Sequence, residues 1–211
     1  LDGLPDIFIG NGGPEAGEHN QLLLASGLQQ VSVDGYTVQI PLFEDRTEWI
    51  DFEPERDPTA YSPEDLPFPY RTHGTCVADY DGDGLPELAV VNGGPAKDPL
   101  PEWMREPNRL FRFQYSHPNH WLKIRPTGTG SVNRDGVGLW AHAVVGDASG
   151  DVWDVYGTLR AGSGFAAQNG SELTLGLGAA TEIIRLEVTP PGGVSQQVAV
   201  EGVDTILELA L

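Results

Sequence analysis

The amino-acid sequence predicts an all-β protein: partial β-propeller-like repeats followed by a β-sandwich-like domain. Three observations point there. The 27 glycines and 17 prolines among 211 residues imply frequent turns. A motif at the N-terminus returns from residue 82 onward, the signature of a repeat unit. Beyond His117, short alternating segments are joined by glycine turns, and no helical periodicity of useful length is present. These features divide the chain into a repeat region, 1–116, and a β domain, 117–211.

The repeat is read residue by residue. Leu1-Asp2-Gly3-Leu4-Pro5-Asp6-Ile7-Phe8-Ile9-Gly10-Asn11-Gly12-Gly13-Pro14 matches Gly82-Asp83-Gly84-Leu85-Pro86-Glu87-Leu88-Ala89-Val90-Val91-Asn92-Gly93-Gly94-Pro95. Each copy leads through a variable stretch to an Asn-x-Leu strand, Asn20-Gln21-Leu22 and Asn108-Arg109-Leu110. Units that cannot bury their own faces imply a propeller or an array. Aligned on the second copy, Leu1 falls inside the acidic loop, so upstream blades are expected to be missing from this sequence or supplied by another chain. The absence of a signal peptide is then uninformative.

The richest chemistry lies in Asp79-Tyr80-Asp81-Gly82-Asp83-Gly84-Leu85-Pro86-Glu87. Acids at alternate positions of a tight turn converge, and oxygen-only donors at this density suit a hard cation, calcium above all. The predicted ligands are Asp79, Asp81, Asp83 and Glu87, with the carbonyl of Leu85. Gly84 falls where the turn requires positive φ. An EF-hand does not fit, because its twelfth loop position, here Val90, must be Glu. Thr75–Ala78 before the loop and Leu88–Val91 after it are short apolar runs, so strand, calcium loop and strand is the expected order. The competing reading is an acidic turn that is merely solvated. In the first copy Asp2, Leu4 and Asp6 form a weaker, incomplete site.

Between the two copies, Val31–Val33 and Tyr36–Ile40 alternate around Asp34-Gly35 and predict a hairpin. Residues 43–70 are acidic and proline-rich, and are expected to be a long surface insertion pinned by Trp49, Phe52, Tyr61 and Phe68. Residues 96–107 form a shorter insertion. In the C-terminal half the expected strands are 120–126, 138–145, 151–159, 172–176, 182–188, 194–200 and 204–210, with Gly146–Gly150 turning a hairpin.

The net charge of −19 argues against nucleic acid and anionic membrane surfaces as partners, and favours cation binding. No apolar run is long enough for a membrane-spanning helix. The single cysteine, Cys76, lies in an apolar run and reads as a buried structural thiol.

Together the Asp-x-Asp-Gly-Asp-Gly-x-Pro-Glu loop, the Asn-Gly-Gly turn and the Asn-Arg-Leu strand resemble FG-GAP (VCBS-type) repeats, the blades of integrin-α-like propellers. Asn119-His120-Trp121-Leu122, Asn133–Gly138, Gly162-Ser163-Gly164-Phe165 with Gln168, and Leu175–Gly178 resemble, in order, an ASPIC/UnbV domain. Thr189-Pro190-Pro191-Gly192 departs from the Trp-Pro-x-Gly turn usual near that domain's end. The resemblance implies a secreted or surface-exposed protein that binds calcium through its repeats and has adhesion or matrix roles. Its expected partners are other protein chains or upstream blades.

No enzyme is expected. The loop acids are too close together in one turn to straddle a sugar as a hydrolytic pair, and no phosphate loop, dinucleotide fingerprint or nucleophile elbow is present. Ser163 reads as part of a glycine turn, Arg134 and Asp135 as pinning a turn, and His19, His73, His117, His120 and His142 have no zinc-like spacing. The leading expectation is a calcium-binding, extracellular adhesion or assembly protein. The alternative is a calcium-dependent carbohydrate-binding module, stacking glycans on Trp49, Tyr61, Trp103 or Tyr115, alone or within a larger polysaccharide-acting protein.

Overall fold

In the computed structural model, described over residues 2–12, 19–50, 71–93, 106–114 and 119–211, the chain is all-β, with no α-helix among those residues. The strands are β1 (Ile7–Ile9), β2 (Gln21–Val33), β3 (Tyr36–Asp45), β4 (Thr72–Ala78), β5 (Glu87–Asn92) and β6 (Arg109–Phe111). In the C-terminal half follow β7 (His120–Thr127), β8 (Trp140–Gly146), β9 (Val152–Thr158), β10 (Leu173–Gly178), β11 (Glu182–Thr189), β12 (Gln196–Val198) and β13 (Thr205–Ala210). They form four sheets, ordered β1-β2-β3, β4-β5-β6, β10-β7-β13 and β12-β11-β8-β9, and no closed barrel.

The internal repeat is structural, down to the register. Ile7, Phe8 and Ile9 oppose Leu23, Leu22 and Gln21. Their counterparts Leu88, Ala89 and Val90 oppose Phe111, Leu110 and Arg109, the matching residues of the second copy. One pair of side-chain bonds fixes each copy. The Asn11 amide donates to Asn20 Oδ1 at 2.9 Å, as the Asn92 amide donates to Asn108 Oδ1 at 3.1 Å. The Asn11 side chain donates to the His19 carbonyl at 2.7 Å, as Asn92 donates to that of Pro107 at 2.8 Å. The asparagines of both motifs thus tie the end of one strand to the start of the next. The two copies also touch: the Thr72 amide donates to the Asn11 carbonyl at 3.0 Å.

The hairpin around Asp34-Gly35 forms with φ values of +49° and +82° at those residues, as a type I′ turn requires. It is longer than expected. β2 runs unbroken from the Asn-x-Leu strand into the hairpin, with a bulge between Ala25 and Gly27. β3 continues through Asp45 and is followed by a 3-10 turn at Thr47–Trp49, so the excursion expected to begin at residue 43 does not begin there. Cross-strand pairing outlasts the acidic composition because Leu23, Leu24 and Ala25 supply partners for Asp45, Glu44 and Phe43. Residues 51–70, with Phe52, Tyr61 and Phe68, lie outside the described residues, as do most of 96–107.

In the C-terminal half two sheets enclose one core. Leu122, Ile124, Leu175 and Leu177 from one sheet meet Ala141, Ala143, Val145, Leu186 and Val188 from the other, all at most 2% exposed. Each fully buried branched side chain contributes about 1.5–3 kcal/mol of hydrophobic stabilisation. Alternation in β7 and β8 turns these residues toward the core and their neighbours away from it. All seven expected strands form, the sixth shortened to Gln196–Val198. β7 and β13 pair in parallel, so the first and last strands of the domain lie side by side.

Two expectations need correction. Arg134 and Asp135 pair with each other in solvent at 2.8 Å. The turn is pinned by Asn133 instead, whose side chain accepts from the Val137 amide and donates to its carbonyl, both at 2.8 Å. Cys76, opposite Ala89 in the β4–β5 ladder, is only partly buried.

Candidate metal centre

β4 and β5 pair antiparallel from Thr72 and Asn92 down to Ala78 and Glu87, and the acidic stretch is the loop that joins them. The expected order of strand, acidic loop and strand is therefore the one adopted. Within the loop the carboxylates cap its own backbone. Asp79 accepts from the amides of Gly82 at 2.7 Å and Gly84 at 2.9 Å. Asp81 accepts from Asp83 at 3.2 Å, and Asp83 from Leu85 at 2.8 Å. Glu87, 4% exposed at the start of β5, reaches back to the Tyr80 amide at 2.7 Å. These bonds supply the amides of a tight turn with acceptors that its geometry denies them in the main chain.

Of the five predicted ligands, three converge. Carboxylate oxygens of Asp79, Asp81 and Glu87 lie within 4.8 Å of one another. Asp83 stands apart from that trio: its carboxylate pairs with Arg112 at 2.7 Å. Leu85 is partly buried beside them. In the first copy, Asp2 accepts from the Leu4 amide at 3.0 Å within its own turn, and Asp6 accepts from the Ala25 amide on β2 at 3.0 Å.

Three residues of the site were not expected from the sequence. Lys123, on β7, is 1% exposed and its ammonium pairs with the Asp79 carboxylate, with Glu172 at 3.5 Å. Trp121, two residues earlier on the same face, covers Gly84: a Cβ there would lie 2.1 Å from the indole ring. Gly84 has φ +91°, so the predicted conformation is present together with a packing demand the loop motif does not encode. Arg112, just past β6, bridges Asp81 at 2.8 Å and Asp83. The alternation of β7 holds the only signal for Lys123: Leu122 and Ile124 face the core, so Trp121 and Lys123 must face away from it.

The electrostatics follow from these contacts. Burial alone would push the Asp79 carboxyl up, but the Lys123 ammonium and the Gly84 and Gly82 amides outweigh it and hold it below its ordinary value. The Leu85 amide and then the Arg112 guanidinium hold Asp83 down as well. Asp6 goes the other way, its carboxyl raised by burial that the Ala25 amide only partly offsets.

A hard dication fits this donor set, since three convergent carboxylates offer only oxygen. Asp79, Asp81 and Glu87 would hold it. Two cationic side chains compete for the same oxygens, and they differ in freedom. Arg112 is 63% exposed and free to swing into water, whereas Lys123 is enclosed.

The other residues singled out in the sequence have local roles. Ser163 donates its amide to the Ala167 carbonyl at 3.2 Å within a turn. His120 contacts Asp204 at 2.7 Å, and His73 the Gly93 carbonyl at 3.0 Å. Trp49 lies under the Arg46 guanidinium, 5.7 Å from the ring centre. Tyr61, Trp103, Tyr115 and His117 lie outside the described residues. No helix of the described residues is long and apolar enough to cross a membrane.

Comparison with known proteins bears on the C-terminal half most directly. Residues 128–210 match the family model described as ASPIC and UnbV. No solved structure matches. The FG-GAP resemblance of residues 1–116 rests on the sequence motifs alone. Over 141 residues, 66% of this chain, the sequence is 29% identical to cartilage acidic protein 1 of Mus musculus, and it spans 20% of that protein's length.

Proposed function

We propose that this chain is a calcium-stabilised, extracellular interaction module that works through its surfaces and not through chemistry. The observation that carries the reading is the convergence of Asp79, Asp81 and Glu87 in a loop wedged against the neighbouring domain. An ion held there ties together the strands on either side of the loop. The match to ASPIC and UnbV and the distant likeness to an acidic cartilage protein favour an extracellular, non-catalytic role.

Assembly with other polypeptide is favoured by the β2–β3 ribbon. Alternation puts Val31, Val33, Tyr36, Val38, Ile40 and Leu42 on one face with Gln29 among them, and Ser32, Thr37, Gln30 and Gln39 with Leu28 on the other. Tyr36 is 75% exposed and Val33 52%. From Leu22 to Phe43 the sole charge is Asp34, in a chain with 31 acids. An uncharged apolar face of this extent marks a protein-binding surface.

Thermal unfolding across a calcium titration, with a chelator control, tests the reading. Calcium should raise the melting temperature of the wild type, equivalent to about 2.7 kcal/mol at a hundredfold excess over Kd. Asp81→Asn should require much more calcium for the same rise. An unchanged melting temperature in the wild type, or equal calcium dependence in the variant, would overturn the ligand assignment.

A further inference from the structure

The outer face of the β12-β11-β8-β9 sheet carries a feature that the acidic loop does not explain. Ala141, Ala143 and Val145 of β8 are fully buried in the core, so Trp140 and His142, which alternate with them, turn outward. The register places Tyr156 of β9 opposite His142 on one side, and Glu187 of β11 opposite it on the other. The rings make one cluster. His142 and Tyr156 are stacked, 4.5 Å apart and 12° from parallel, and Trp140 lies 5.6 Å from Tyr156. Tyr156 remains 57% exposed and Trp140 40%, with β9 the edge strand of the sheet.

The polar groups beside the rings are paired with one another within the face. Asp154 contacts His142 at 2.5 Å, and Glu187 pairs with Arg185 at 3.5 Å and lies 3.7 Å from His142. This pairing decides what the face suits. A cationic partner would have to displace His142 and Arg185 from their acids. A sulfated or otherwise acidic ligand would approach against the field of a chain with net charge −19. What remains is aromatic surface beside donors and acceptors with capacity to spare: each carboxylate can accept about four bonds, more than its neighbours here supply, and a guanidinium has five N–H donors. A pyranose ring needs that combination, with its C–H face on an aromatic ring and its hydroxyls on fixed polar groups.

We propose that this face binds a neutral glycan, with Trp140 and Tyr156 as the stacking platform and Asp154, Arg185 and Glu187 as hydrogen-bonding groups. The site is separate from the acidic loop and needs no calcium.

Titration of the full chain with cellohexaose, mannohexaose and chitohexaose, followed by calorimetry and tryptophan fluorescence, tests this. Hexa-arginine and a heparin hexasaccharide serve as charged comparators, and every titration is repeated with a chelator. Saturable binding of at least one neutral hexasaccharide is expected, unchanged by the chelator and about tenfold or more weaker in Trp140→Ala and in Tyr156→Ala. Tyr156, on the edge strand and more than half exposed, keeps the test decisive should Trp140→Ala lose its fold. Binding of none of the three neutral probes would overturn the proposal. So would tighter binding of either charged comparator, loss of binding on chelation, or wild-type affinity in folded variants.

Discussion

The ammonium of Lys123, on the first strand of the C-terminal sandwich, is paired with the carboxylate of Asp79, the first acid of the β4–β5 loop. The two side chains are 1% and 6% exposed. This contact joins the repeat region to the sandwich, and Trp121 against Gly84 extends it. β4 adds a further tie, the Val77 amide donating to Asn169 Oδ1 at 2.9 Å and the Gly170 amide to the Val77 carbonyl at 3.0 Å.

Removing one member of so enclosed a pair leaves the other charge stranded away from water, a loss of about 3–5 kcal/mol. Lys123→Met is expected to destabilise the chain by that amount in chelator, by equilibrium chemical denaturation. Replacing both partners, in Lys123→Met with Asp79→Asn, should cost far less than the sum of the two single changes, because no uncompensated charge remains. Additive losses would mean that the two side chains do not interact in solution.

The same pair gives the stability a definite pH dependence. The Asp79 carboxyl is held below its ordinary value in the folded chain, so the unfolded state binds the proton more readily. Its contribution is therefore fully present above the unfolded pKa, about 4, and is lost as the pH falls from there through the folded value. Denaturation from pH 7 to pH 2 in chelator should show this loss, and Asp79→Asn should flatten that part of the profile relative to the wild type.

Gly84 and Gly82 separate backbone strain from packing. Both have positive φ, +91° and +78°. A Cβ at Gly84 runs into Trp121, whereas one at Gly82 meets nothing within 4 Å. Gly82→Ala should therefore cost only the strain of a left-handed alanine, about 1–2 kcal/mol. Gly84→Ala should add an overpacking penalty of about 1–3 kcal/mol. Trp121→Ala in the Gly84→Ala background should recover part of that second loss, as read by urea denaturation.

Much of this architecture was legible in the sequence, for physical reasons that also mark where legibility stops. The loop and its flanking strands are local: acids at alternate positions, glycine at the strained turn and apolar runs on each side decide them within a dozen residues. The Asp34-Gly35 turn and the seven C-terminal strands are local in the same sense. Lys123, Trp121 and Arg112 reach the loop from 29 to 44 positions away in the chain, and nothing in the spacing of the acids calls for them. Asp83 stands outside the convergent group, although Arg112 contacts both it and Asp81. The Trp140 and Tyr156 cluster was missed for a related reason. Each residue is a normal strand former on its own, and only the β8–β9 register makes them neighbours.

The asparagine pins give the internal repeat a consequence that sequence similarity alone lacks. Asn20 and Asn108 each accept from the amide of the motif asparagine, Asn11 just beyond β1 and Asn92 at the end of β5, and so fix the register of β1 on β2 and of β5 on β6. A hydrogen bond of this type is worth about 0.5–1.5 kcal/mol, and stranding a buried amide costs about 1–3 kcal/mol. Asn108→Ala is expected to fall in the upper range, since Asn92 is only 8% exposed. Asn20→Ala should fall in the lower range, because Asn11 is less enclosed. Hydrogen exchange distinguishes the pin from a general loss of stability. In Asn108→Ala the amides of β5 and β6 should lose protection before those of the sandwich core do. Uniform loss across both regions would show that Asn108 supports the whole chain and not the register of its own repeat.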